Sequence, residues 1–327
     1  MTHRPANADP FVSVVMTSHN PGPYLRAAVE SVLAQTVTDL EIILVDDGST
    51  DGSLESIADI DDDRLRIERQ ENAGLGVPVN RWLREARGRY LMRMDADDLI
   101  HPERAARQVA FLEANPEIGI VGSQYQFITD HGGGPVSQLP NDHETITVGL
   151  ERGWHTISHA TTMYRTSLIR DGLAYSWSGP GEDWSFFGDA SRMTRLAVLD
   201  DVLYSYRLHP ASSAWRGSRQ SVEGLAFARE RIGRLDAGKP VVSQEEFLAN
   251  RSSRRMGLLD RTRAVSGVLY RQAIIDQIDG RTAKSRLTKV AAAALDPLKT
   301  LGWAKKRIDR ARSARRGEPP VLTDRSA

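Results

Sequence analysis

Residues 41–51 read EIILVDDGSTD, and the fold follows from how this run is read. Its first five positions form an apolar, β-branched stretch that is too short for a helix and predicts a buried strand. The DDGSTD that follows is dense in turn and helix-capping residues, so the strand ends sharply and a short helix over 53–58 is expected. The same alternation recurs on both sides. Upstream, 11–16 (FVSVVM) predicts a strand running into Thr17-Ser18-His19-Asn20. Past the breaker NPGP, Leu25, Ala28, Val29, Val32 and Leu33 recur at helical spacing. Downstream, strands are expected at 65–68, 90–94 (YLMRM) and 118–121. Helices are expected around Val77, Leu83 and Ala86, and from Pro102 to about residue 114, where Asn115-Pro116 stops the run. Strands separated by helices at this rhythm indicate an α/β fold built from βαβ units, with a mostly parallel sheet flanked by helices. Such sheets bind ligands beyond the carboxyl ends of their strands, which is where 17–20, 46–51 and 95–98 fall.

The chain has 327 residues with 43 basic and 43 acidic side chains, and 40% of it is hydrophobic. That composition is globular, and the length suffices for one large domain plus a smaller one. No apolar run approaches the ~18 residues of a transmembrane helix. MTHRPANADP lacks the apolar core of a secretory signal, so a cytoplasmic protein is expected. Cysteine is absent, which excludes disulfides, thiolate metal sites and thiol nucleophiles. The zero net charge conceals a split. Residues 1–215 carry 18 basic and 31 acidic side chains, whereas 216–327 carry 25 basic and 12 acidic. A cation is expected at the acidic part and an anionic partner at the basic part. The organisation expected is a flexible tail over 1–10, a catalytic α/β domain over 11–215 and a basic helical region over 216–327, divided near 215–222. Residues 132–153 are turn-rich and polar and read as a mobile loop.

Five polar clusters carry candidate chemistry. Asp95-Ala96-Asp97-Asp98 places three carboxylates within four residues directly after a strand; a hard divalent cation such as Mg²⁺ or Mn²⁺ would relieve their repulsion, and a solvated helix-capping turn is the plainer alternative. In 46–51, one carboxylate can accept hydrogen bonds from a nucleobase or ribose hydroxyl, or the segment is turn chemistry alone. Thr17, His19 and Asn20 can border a base. Glu182-Asp183-Trp184 reads as lying in a Gly/Pro-flanked loop and offers a general base and an aromatic platform, or an exposed acidic helix start. Arg207 and His209 end a further strand-like run, where the imidazole can complete a metal shell. Asp59, Asp61, Asp62 and Asp63 lack the glycine and distal glutamate of an EF-hand and read as a solvated acidic loop.

In chain order, VSVVMTSHN, AVESVLAQT, EIILVDDGSTD, ENAGLG, GRYLMRMDADD, GEDW and YRLH resemble the family 2 glycosyltransferases over about residues 11–210. The resemblance implies a GT-A fold and inverting transfer from a nucleotide-diphosphate sugar. It implies that Thr17, His19 and Asn20 border the base, and that Asp47, with Asp46 beside it, contacts base or ribose. Asp95 and Asp97 would be the D-x-D pair, with Asp97 the direct ligand of Mn²⁺ or Mg²⁺ and His209 approaching the metal or diphosphate. Asp98 would orient the loop or donor sugar, and Asp183 would be the general base, with Glu182 and Trp184 toward the acceptor. Two departures stand out. Val77-Pro78-Val79-Asn80 lacks the basic residue often found before the Asn, and Ser185-Phe186-Phe187-Gly188 replaces a commoner acidic run after GEDW.

Such an enzyme needs a saccharide or lipid-linked acceptor, as in cell-surface polysaccharide or glycolipid assembly. The Arg/Lys-rich stretch 305–316, beside Leu295, Leu298, Leu301, Ala304 and Ile308, either lies on an anionic membrane at the cytoplasmic face or packs on the acidic domain. No nucleic-acid partner is expected, because no aromatic-interleaved basic patch is present. An inactive nucleotide-sugar-binding protein and a sugar nucleotidyltransferase are the competing readings; the second would want a Gly-rich basic loop where 17–21 reads TSHNP.

Overall fold

The structure is a computed structural model that describes residues 9–74, 76–209, 218–251 and 258–296. Strand β1 (Val12–Ser18) is buried along its whole length, as its largely apolar run requires of a strand covered on both faces. It pairs in parallel with β2 (Leu40–Asp47) and, on its other side, with β4 (Tyr90–Asp95); β3 (Leu65–Gln70) adds in parallel to β2. Register aligns the polar ends. Ser18 lies opposite Asp46, Thr17 opposite both Val45 and Asp95, and Gln70 opposite Asp47.

Helix α1 (Leu25–Leu33) buries Leu25, Ala28, Val29 and Val32, the stripe its spacing predicts. The stretch 53–58, expected as a short helix, is a 3₁₀ turn at Ser53–Ile57. A second 3₁₀ turn, Val77–Val79, leads into α2 (Asn80–Glu85). After the short β5 (Leu99–Ile100), α3 (Arg104–Ala114) begins two residues past Pro102 and stops at Asn115.

Beyond α3 the sheet becomes mixed. Strands β6 (Ile118–Thr129), β7 (Gly132–Val136), β8 (Met163–Arg165) and β9 (Arg195–Arg207) complete the order β3-β2-β1-β4-β8-β6-β9-β5, with β7 hairpinned on β6. β8 runs antiparallel to both β4 and β6, while β6 and β9 are parallel. Residues 132–153, expected to be a mobile loop, instead hold β7 and helix α4 (His143–Glu151). The Asp142 carboxylate caps α4 by accepting the Thr145 N–H at 2.8 Å, a contact worth about 1 kcal/mol. Ile146 and Leu150 are buried beneath the helix. After the short α5 (Ser167–Arg170), Glu182-Asp183-Trp184 forms the first turn of α6 (Glu182–Met193) rather than a loop.

The chain divides between Arg254 and Arg255 into two units, downstream of the expected boundary near 215–222. Helices Ser218–Asp236 and Gln244–Arg251 belong to the first unit, where Phe227 and Phe247 pack on Trp177. Arg231 also donates its Nε–H to both carboxylate oxygens of Asp189 in α6. In the second unit, Leu258–Ile278 and Thr282–Leu295 form a helical pair pinned by Ser266 on the Ala292 carbonyl and Ser285 on the Ala273 carbonyl. Among the described residues, no helix is long and apolar enough to cross a membrane. Residues 1–8 of the expected tail over 1–10, and the basic stretch 305–316, lie outside the described residues.

Candidate active site

The parallel register carries the strand ends to one edge of the sheet, and a cavity of about 490 Å³ opens there. Of the residues singled out from the sequence, Thr17, His19, Asn20, Asp47, Asp95, Asp97, Asp98 and His209 line it. Asp46, Glu182, Asp183 and Trp184 do not, although Gly179 and Pro180, just ahead of α6, do.

One wall is built by Asp47. One carboxylate oxygen accepts from the Gln70 amide (2.8 Å) and the Ala73 N–H (2.9 Å), and the other from the Gly74 N–H (2.8 Å). The side chain thus staples the 70–74 segment to β2. Gly48 permits the approach: its φ is +75°, and a Cβ there would stand 2.9 Å from the Asn72 nitrogen. Asp46 is buried and accepts the Ser49 N–H at 3.2 Å, closing the turn after β2. Asn20 bonds the facing loop twice, donating its N–H to the Ser49 hydroxyl (2.9 Å) and accepting the Thr50 N–H (2.8 Å). The His19 ring sits between the Asp47 carbonyl (2.9 Å) and the Asn72 amide.

The acidic turn forms the opposite wall. Asp97 Oδ2 is 3.0 Å from His209 Nε2. The Tyr24 ring lies 4.9 Å from the imidazole and also underlies the Arg207 guanidinium at 4.4 Å. Arg207 donates to the Asp97 carbonyl (3.0 Å) and reaches Asp130 (3.2 Å), which in turn accepts from the Tyr24 hydroxyl (2.8 Å). Asp98 is buried, accepting the Tyr204 hydroxyl at 2.6 Å and the Arg207 N–H at 2.7 Å. Burial, then the charges of Asp97 and Asp95, push its acid strength well down, so its pKa stands well above the ordinary value.

The expected metal set of Asp95, Asp97 and His209 is not assembled as a group of three; among the described residues no cluster of three such side chains stands ready for an ion. Asp95 is drawn instead to Arg93, at 2.9 Å. Sequence reasoning missed Arg93 and Arg104, two buried arginines behind the acidic edge. Arg93 also donates to the Thr17 hydroxyl (2.6 Å) and to the Met94 carbonyl. Arg104 donates to the Arg93 and Thr162 carbonyls and lies 5.2 Å from the Tyr204 ring. Burial lowers the Arg104 pKa to about 10, which leaves it charged at neutral pH. Burial opposes the charge on Arg93 more than any single neighbour favours it, but Asp95 together with Tyr175, Tyr164 and Tyr204 outweighs it and raises the guanidinium's pKa. A charged residue in an otherwise apolar strand such as YLMRM is a signal that could have found this: it needs a buried partner.

Asp183 sits in the first turn of α6, with its Oδ1 accepting the Trp184 N–H at 3.0 Å. Burial, reinforced by the Asp95 charge against the local hydrogen bonds, raises its pKa to about 6. Glu182 is buried, and burial with the Asp183 charge raises it to about 8. Trp184 is half-buried against the main core. A half-buried carboxylate titrating near neutrality beside an acid-lined cavity is suited to taking a proton from a bound hydroxyl.

A family model described as glycosyl transferase family 2 matches residues 13–173, the strands that build both walls up to Asp98. EpsH of Bacillus subtilis (strain 168), a glycosyltransferase by name, is 30% identical over 236 residues, covering 67% of each chain. Over the first curated relatives it matches, the chain spans 37% to 66% of their length. In architecture the chain is similar to S. aureus TarS 1-349 in complex with UDP-GlcNAc (TM-score 0.55, 18% identity, 96% of this chain and 94% of that one). It is equally similar to the mannosyltransferase PcManGT from Pyrobaculum calidifontis in complex with GDP-Man and Mn2+ (0.55, 18%, 94% and 87%). The α/β, GT-A-type architecture with C-terminal helices is therefore as expected. Cavity wall, family match and the shared length with EpsH agree: this chain belongs to glycosyl transferase family 2.

Proposed function

We propose that this protein transfers a sugar from a nucleotide-diphosphate sugar to an acceptor hydroxyl by direct displacement with inversion. The observation that carries the reading is the convergence of Asp47, of Asp95 and Asp97, and of His209, from three separate parts of the chain, on one cavity at the carboxyl edge of the sheet. Two of the similar structures are complexes with UDP-GlcNAc and with GDP-Man and Mn2+, which supports a nucleotide-sugar donor and a divalent ion.

Thr17, His19, Asn20 and Asp47 would border the base and ribose. Asp47 already gives three acceptor contacts to the 70–74 segment, so its part is to shape the pocket as much as to touch the nucleotide. Asp97 and His209 would hold Mn²⁺ or Mg²⁺, with Asp95 adjoining. One carboxylate and one imidazole fit a hard ion that takes its remaining ligands from diphosphate oxygens and water. When bound, such an ion neutralises charge that builds on the leaving diphosphate. Asp183 would take the proton of the attacking hydroxyl, and with one base and no covalent intermediate the anomeric configuration inverts.

A saccharide or lipid-linked acceptor and a cytoplasmic site of action belong to the same proposal, with the basic stretch 305–316 either on an anionic membrane or packed on the acidic domain. Liposome flotation with and without residues 284–327 tests the membrane contact. The central test is nucleotide-diphosphate release from UDP-, GDP- and dTDP-sugars with and without Mn²⁺. One donor should release its nucleotide in a metal-dependent way; no release from any of them, with an acceptor mixture present, defeats the reading.

A further inference from the structure

Behind Asp183 lies a row of polar groups outside the cavity. Glu182 Oε1 is 3.7 Å from His159 Nδ1, and the other ring nitrogen of His159 meets the Tyr175 hydroxyl. Tyr175 cannot drift, because the Asn80 amide clasps both its backbone N–H (2.8 Å) and its carbonyl (2.9 Å). Its ring stacks on Phe186 at 4.6 Å, and Phe187 stands edge-on to the imidazole at 6.0 Å. Gly76 closes the far side: a Cβ there would lie 2.0 Å from the Trp177 carbonyl oxygen and 3.1 Å from the Glu182 Cβ. The charged groups within reach of the Glu182–Asp183 pair are Arg93 and Asp95 of β4, with His159 and Tyr175 on the remaining sides.

His159 is neutral, because burial and then the Arg93 charge hold its pKa well below the ordinary value. A neutral imidazole has one donor and one acceptor. Were the tyrosine hydroxyl the donor to Nε2, the ring proton would sit on Nδ1, the nitrogen 3.7 Å from Glu182 Oε1. Glu182 retains its own proton at neutral pH. Free to rotate, it would donate that proton's hydrogen bond to the adjacent Asp183 carboxylate, stabilise the charged form and blunt the base.

We infer that His159, held by Tyr175, is a positioning residue that turns the Glu182 carboxyl away from Asp183 and leaves the Asp183 carboxylate open to the acceptor proton. The inference rests on Asp183 being the base. The probe is whichever UDP-, GDP- or dTDP-sugar in the panel above releases nucleotide fastest with wild type. For His159→Phe, kcat should fall about tenfold, its acid limb should move to lower pH by roughly half a unit to one unit, and the donor KM should stay within about twofold. Tyr175→Phe, which removes one oxygen, should change the same quantities in the same direction but less, and serves if His159→Phe does not fold. His159→Gln, which keeps a donor, should recover part of the loss, and Glu182→Ala added to His159→Phe should restore the acid limb. Imidazole nitrogen chemical shifts in the wild type should report the Nδ1–H tautomer. An unmoved acid limb in both His159→Phe and Tyr175→Phe, or an Nε2–H tautomer, overturns the inference. Asp183→Asn separates the two levels: if it is inactive while the limb stays unmoved, the positioning role alone fails, and if it transfers normally the base assignment fails with it.

Discussion

Asp97 and His209 stand 112 positions apart in the chain, yet their side chains meet at 3.0 Å on the cavity wall. Their pairing depends on β9 returning beside β6 and on Arg207, two residues ahead of His209, gripping the Asp97 carbonyl. Asp97→Asn and His209→Ala should each cut nucleotide release by about 100-fold or more, with unchanged circular dichroism. A chelator should abolish wild-type release and added Mn²⁺ restore it. Metal-independent turnover, or near-normal rates in both variants, would remove the ion from the proposal.

Asp183 supplies a pH signature. As a base it acts only when ionised, and its pKa is raised to about 6. Activity should therefore be full above about pH 7 and fall roughly tenfold per unit below about pH 6. Asp183→Asn should lose transfer by about a thousandfold while folding normally. A flat kcat profile down to pH 5 would sink this assignment.

Glu182 carries a stability cost with a definite sign. Its folded pKa, about 8, lies above the ordinary 4.5, so folding is penalised where the unfolded chain ionises the group and the native state does not. The penalty is absent below about pH 4.5, grows as pH rises and is complete above about pH 8. Glu182→Gln should thus raise Tm at pH 8 by a few degrees, on the order of 1–2 kcal/mol, and by almost nothing at pH 4.5. Thermal melts across that range decide it; an equal shift at both ends would show a packing effect instead.

Gly48 tests the Asp47 staple. Alanine there must adopt a φ near +75° and push its Cβ toward the Asn72 nitrogen. Gly48→Ala should cost about 1–2 kcal/mol in urea unfolding and raise the donor KM several-fold with a smaller change in kcat. Unchanged KM would mean that the 70–74 segment does not shape the donor pocket.

How far the sequence alone reaches can be judged from single elements. The strand ends at Thr17, Asp47 and Asp95 were legible because apolar runs stop abruptly at polar clusters, and parallel pairing then places those ends together. β7 was not legible: GGGPV has the composition of a turn and becomes a strand only by hydrogen-bonding to β6. The first turn of α6 read as a loop because Gly179, Pro180 and Gly181 precede it, yet its burial comes from the helix Ser218–Asp236 packing close to Gly181. His159 and Tyr175 carry no local pattern, and Arg93 shows only as a lone charge in an apolar strand. The significance of Arg93 and Tyr175 lies in contacts made across 70 or more positions, Arg93 with Thr17 and Asn80 with Tyr175, and that of His159 in its contacts with Tyr175 and Glu182.

The two sunken arginines have a further consequence for anyone who would move this chemistry elsewhere. Because Arg93 in β4 and Arg104 at the start of α3 balance the carboxylate edge from the buried side, the 95–98 turn is not a portable cassette. Grafted onto a scaffold without an internal cation at the equivalent strand position, the same carboxylates would repel one another and pick up protons.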